Sequence, residues 1–178
     1  ALAFQGSISE CNYRQAILQM YGITDLVLVE RGSRALEEDE DGVDFFTGVR
    51  QTLIALKEKG YMLGIITDTA SPIHVKLNWL ERGGIGHVWD SIISSQEIGT
   101  EKPDPRIYSA ALKQLGCLAT EAVFVGHNPE ELEGAKALGM TTIAFNHDEK
   151  ASADLFISRF SDLLAAPLIS SNHHKPRI

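Results

Sequence analysis

From residue 43 onward the chain alternates short apolar runs with longer amphipathic stretches, and most runs stop at a glycine or a small polar residue. Apolar runs without polar alternation are strands buried on both faces, an environment that helices on both sides of a parallel sheet provide. Val49, Leu53, Ile54 and Leu56 share one face of a helix ending at Gly60, and residues 61–66 form an apolar run ending in Thr67-Asp68-Thr69. Pro72 opens a helix through Leu80, and residues 88–93 make the next strand. Ile107, Ala110, Ala111, Leu112 and Leu115 define a helix stopped by Gly116, and the run 122–125 leads to a helix from Pro129 to Gly139. Residues 141–145 and 155–157 supply two further strands. The pattern predicts an α/β fold with a doubly wound parallel sheet. Ligands of such sheets bind outside the carboxyl ends of the strands, which directs attention to Thr67-Asp68, Lys102 and His127-Asn128.

The flanks read differently. A helix over 13–21 ends at Gly22, and an irregular stretch follows, carrying the acidic run Glu37-Glu38-Asp39-Glu40-Asp41, read as a solvated loop. The segment from Pro167 is polar and unpatterned, as expected of a terminal tail. The expectation is one domain over 1–166, with a tail at 167–178. Hydrophobic residues make up 44% of the 178, enough for one sizeable core. A net charge of −8 disfavours nucleic acid and anionic membrane surfaces as partners. The apolar run Leu26-Val27-Leu28-Val29 is too short to span a bilayer. Cys11 and Cys117 lie far apart and form no metal or redox spacing, so a reduced, cytoplasmic setting is expected.

Three segments carry a family resemblance. Gly64-Ile65-Ile66-Thr67-Asp68-Thr69 is a strand ending in threonine, and Lys102-Pro103-Asp104-Pro105 leads to Tyr108. Val125-Gly126-His127-Asn128-Pro129 continues into Gly134-Ala135 and Gly139-Met140. Together these resemble the second, third and fourth motifs of the haloacid dehalogenase superfamily, mainly magnesium-dependent phosphotransferases that work through an aspartyl-phosphate. The resemblance implies a Rossmann-like core with a helical cap, here reduced to about residues 9–46, and a phosphate site of Thr67, Asp68 and Lys102. Hydroxyl and ammonium groups there would hold equatorial phosphoryl oxygens.

The family's first motif, Asp-x-Asp-Gly-Thr, aligns with Ala3-Phe4-Gln5-Gly6-Ser7. Ala3 then stands at the nucleophile position and Gln5 at the acid/base position, and neither side chain can do that chemistry. His127 and Glu131 occupy the positions of the metal-binding acids, and an imidazole with a distant carboxylate is a poor magnesium site. Asp39-Glu40-Asp41-Gly42 spells a similar motif, but no apolar strand precedes it. The expectation is therefore an inactive, pseudophosphatase-like protein that binds, scaffolds or regulates through a vestigial phosphate pocket, with no cofactor. Its expected partners are phosphate or another small anion, and a protein or second copy docked on the cap region near Tyr21, Phe45 and Phe46. The alternative is a magnesium-dependent phosphatase acting on a small phosphorylated metabolite. The pocket is expected to be electropositive, with Thr67 and Lys102 inside it and His127 at its edge.

Overall fold

The computed structural model describes residues 10–40 and 44–167. Helix α1 spans Glu10–Met20 and α2 spans Leu26–Glu40, forming a helical hairpin. Helix α3 covers Val49–Glu58, β1 Gly64–Thr67, α4 Ile73–Arg82, β2 Ser91–Ser94 and α5 Ser95–Ile98. Then come α6 Pro105–Leu115, β3 Val123–Gly126, α7 Pro129–Ala137, β4 Thr141–Phe145 and β5 Leu155–Ile157.

Helix α2 replaces the irregular stretch expected after Gly22. Its start is set by Asp25, whose Oδ1 accepts the N–H groups of Val27 and Leu28, both at 3.0 Å. A carboxylate there satisfies donors that the first helical turn leaves without partners. At Gly32 the hairpin closes tightly, since a Cβ would lie 2.9 Å from the Leu18 side chain. Asp39 and Glu40 belong to α2, so the acidic motif follows a helix and not a buried strand; residues 41–43 lie outside the described residues.

Two strands are shorter than the sequence suggests. Tyr61 belongs to the turn after α3, where its N–H donates to Leu56 O at 3.1 Å and Gly60 takes φ 83°. Strand pairing therefore begins at Gly64. Residues 86–88 form a 3-10 turn, and β2 starts only at Ser91.

The fold is the expected α/β class with parallel strands, which among the described residues pair in two sets. β1 pairs with β2 from Gly64↔Ser91 to Thr67↔Ser94, and β3–β4–β5 pair in that order. Helices cover both faces, as a parallel sheet requires. Leu53 and Leu56 of α3 pack with Val123, Ile143, Ile157 and Leu163 on one side. Ile107, Tyr108 and Ala111 of α6 pack with Ile93, Ala135 and Met140 on the other. Alternation along the strand divides the residues of β3: Val123 joins the first cluster and Phe124 borders the second. No helix among the described residues is long and apolar enough to cross a membrane.

Asp154 ties β5 to its neighbours. Its carboxylate accepts from Lys136 Nζ, Thr142 N and Thr142 Oγ1, each at 2.9 Å. The Lys136 hydrogen bond, followed by those from Thr142, holds the Asp154 pKa below its ordinary value. A depressed carboxylate stabilises the fold above its unfolded pKa of about 4, and that contribution is lost as pH falls through the lower folded value. Asp154→Asn is expected to lower stability to urea at neutral pH, with the difference from wild type closing in acid. A difference that stays constant from neutral pH to below about pH 3 would contradict this linkage.

Candidate active site

The site gathers where β1 and β3 end. Thr67 closes β1 and is half-buried. The turn after it is fixed by hydroxyl groups: Thr69 N donates to Ser95 Oγ at 3.0 Å, and Ser71 N donates to Thr69 Oγ1 at 2.9 Å. Those two N–H groups are thereby satisfied by the protein itself.

Lys102 reaches this turn from the loop before α6. Its Nζ donates to Ile66 O at 3.2 Å, and its backbone N–H donates to Asp68 Oδ1 at 3.2 Å. The ammonium lies 3.4 Å from Asp68 Oδ2 and 3.5 Å from Glu131 Oε2, and only 11% of the side chain is exposed. Two carboxylates on one ammonium leave this cluster with a net negative charge, so the expected electropositive pocket is not what forms. A phosphate group would have to displace at least one carboxylate from Lys102 to reach it.

The loop that carries Lys102 is anchored from below. Asp104 caps α6, accepting the Arg106 N–H at 2.9 Å, and the hydrogen bonds from Arg106 hold its carboxyl far below the usual range. Tyr108 is fully buried, and its hydroxyl donates to Glu131 O at 2.8 Å in the first turn of α7. Burial, then the charges of Glu131 and Asp68, push the Tyr108 pKa well above its ordinary value. Gly134 admits the contact between loop and helix: a Cβ there would lie 2.9 Å from Pro103 O and 3.2 Å from the Tyr108 hydroxyl. Tyr108 is a site residue that the sequence marked only as the aromatic after Pro-x-Pro.

β3 ends at Gly126, and Asn128 caps α7, its Oδ1 accepting from Glu130 N at 2.8 Å and Glu131 N at 3.2 Å. Between them His127 is exposed, and its carbonyl accepts the Asp148 N–H at 3.2 Å. Among the described residues a space of about 450 Å³ lies between β1 and β3, with Lys102, His127, Glu131, Asp44 and Asn146 among its lining and an apolar wall that includes Trp89 and Phe145. The structure therefore brings Lys102 against Asp68 and Glu131 beside Thr67, with His127 on the same cavity. Ala3 and Gln5 lie outside the described residues. Of the cap aromatics, Tyr21 is 83%, Phe46 56% and Phe45 37% exposed, and Phe46 meets Phe145 edge-on at 5.3 Å.

Parallel strands covered by helices, with a threonine, a lysine and acids gathered at the strand ends, define an α/β core whose candidate site lies at the carboxyl ends of its strands. The particular family follows from comparison: residues 7–145 match the haloacid dehalogenase-like hydrolase family, and the chain belongs to it. It is 41% identical over 106 residues to a glyceraldehyde 3-phosphate phosphatase of Methanothermobacter thermautotrophicus, covering 58% of this chain and 45% of that one. A crystal structure of a HAD phosphatase from Thermococcus onnurineus superposes with TM-score 0.63 at 28% identity, over 73% of this chain and 61% of the other. A crystal structure of a dehalogenase superposes with TM-score 0.72 at 26% identity, over 89% and 70%. The chain spans about half the length of the curated relatives it matches.

These relatives correct two expectations. The expectation of an inactive, pseudophosphatase-like protein is overturned by curated relatives that are phosphatases. The expectation of no cofactor falls with it, since membership is in a family that works mainly with magnesium. The described residues do not compose a magnesium site by themselves, because Asp68 and Glu131 are both engaged by Lys102 and no group of three or more potential ligands converges.

Proposed function

We propose that this chain is a hydrolase of small phosphomonoesters, with Lys102 and Thr67 holding the phosphoryl group at the carboxyl end of β1. The observation that carries the reading is Lys102, a nearly buried ammonium on a cavity at the strand ends, in a chain related to a glyceraldehyde 3-phosphate phosphatase. An ammonium in that place stabilises charge on a transferring phosphoryl group, where the surroundings exclude much of the water that would screen it. A three-carbon phosphorylated aldehyde or a molecule of similar size is the substrate class favoured by that relative. A cytoplasmic setting, consistent with the free Cys117, belongs to the same reading.

The dehalogenase superposition favours a second reaction class, carbon–halogen hydrolysis. One assay separates the two: the full chain, with Mg²⁺ supplied, is given a panel of two- to four-carbon phosphomonoesters and, in parallel, 2-chloropropionate. Release of phosphate without release of chloride is expected. Chloride release with no phosphate release would overturn the phosphatase reading.

A further inference from the structure

The turn after β1 is held at three successive residues by groups outside it. Asp68 Oδ1 accepts the Lys102 N–H at 3.2 Å, Thr69 N donates to Ser95 Oγ at 3.0 Å, and Ala70 O accepts from Gln96 Nε2. Thr69 and Ser95 are both buried, so water cannot replace a partner that is lost there.

Ser95 and Gln96 open α5, and their place follows from the sheet. β1 and β2 pair up to Thr67↔Ser94, so Ser95 is the first residue beyond the last pair. Its side chain crosses to the turn after Thr67. Its carbonyl accepts the Gly99 N–H at 2.9 Å, where the chain leaves α5 at φ 73° toward Lys102. Asp68 closes the circuit through the Lys102 N–H. Ser95 therefore holds both arms of the site: the turn that carries Thr67 and Asp68, and the loop that carries Lys102. Ser94 gives the contrast. Its exposure is 0%, the same as that of Ser95, yet among the described residues its hydroxyl has no hydrogen-bond partner.

Resting on the phosphatase reading, we propose that Ser95 is a positioning residue of that reaction, setting the spacing of Thr67 and Lys102 by joining the Thr69 turn to the Gly99 turn. Ser95 touches no reacting atom and moves no proton. It acts through the Thr69 N–H, and Gln96 supports the same turn through Ala70 O. Two groups that hold one phosphoryl must keep their spacing as charge develops, and a shift of about 1 Å can cost on the order of 10²-fold in rate. Such a loss falls on kcat, because it weakens contacts made most strongly in the transition state.

The test is steady-state phosphate release from glyceraldehyde 3-phosphate with Mg²⁺ by the full chain, for wild type, Ser95→Ala, Ser95→Thr and Ser94→Ala. Amide hydrogen exchange is read by NMR on the same proteins. Ser95→Ala is expected to lower kcat by about 10-fold or more, to change KM by less than about 3-fold, and to speed exchange at the Thr69 amide. Ser95→Thr keeps the hydroxyl and is expected to restore most of kcat, while Ser94→Ala stays within about 2-fold of wild type. Should Ser95→Ala not fold, Gln96→Leu removes a support of the same turn from a half-buried position and is expected to lower kcat by about 3-fold or more. A folded Ser95→Ala variant with wild-type kcat would overturn the proposal and leave the phosphatase reading intact, as would wild-type kcat in Gln96→Leu where only that variant folds. Equal losses in Ser94→Ala and Ser95→Ala would overturn it too, because they would trace the effect to buried volume and not to the hydrogen bond. If wild type releases no phosphate from any ester, the phosphatase reading fails and this proposal falls with it.

Discussion

Lys102→Ala is expected to lower phosphate release from glyceraldehyde 3-phosphate by about 10²–10³-fold, the cost of removing one preorganised charge that stabilises a developing oxyanion. The loss should fall mainly on kcat, because an ammonium beside the transferring group acts most strongly when charge builds in the transition state. The same substitution leaves Asp68 and Glu131, previously 3.4 and 3.5 Å from the ammonium, without their shared cation. Circular dichroism on the variant separates lost chemistry from lost structure. Lys102→Arg is not a conservative control, since a planar fork cannot reproduce a point charge also donating to Ile66 O. A Lys102→Ala variant that is folded and retains wild-type kcat would remove Lys102 from the site.

Tyr108→Ala carries the largest expected effect on stability, about 3–5 kcal/mol, because it empties a fully buried position between α6 and α7. The ring also meets Phe124 edge-on at 5.4 Å, an aromatic pairing that alanine cannot make. Tyr108→Phe keeps the ring and deletes the hydroxyl that donates to Glu131 O, and about 1 kcal/mol is expected. Urea unfolding reads both, as a shift of the midpoint at constant slope. Equal, small losses for the two variants would show that the ring does not hold the helices together.

β4 and β5 were legible in the sequence to the residue, because residues 141–145 and 155–157 are isolated apolar runs with clear breaks on either side. The helices opened by Pro72 and Pro129 were legible for a different reason, the punctuation at their ends, whereas α6 was legible from its apolar face and Gly116 but begins earlier than read, at Pro105. Helix α2 was not, since Leu26-Val27-Leu28-Val29 has no helical period and the acidic run at its end reads as a solvated loop; only Asp25 marked its start. The site was legible as a set of positions, because strand ends are where such folds place their ligands. Its electrostatics were not. Whether Lys102 faces a free cavity or two carboxylates depends on contacts across 34 and 29 residues of sequence, set by Gly134 and Tyr108 holding the loop on α7.

The most direct measurement is steady-state phosphate release by the full chain from glyceraldehyde 3-phosphate with Mg²⁺ present, run beside Lys102→Ala. The phosphatase reading predicts a wild-type kcat on the order of 1 s⁻¹ or faster, within the ordinary range of enzymes, and a variant rate lower by about 10² or more. A wild-type rate no higher than that of the variant or of the substrate alone would contradict it.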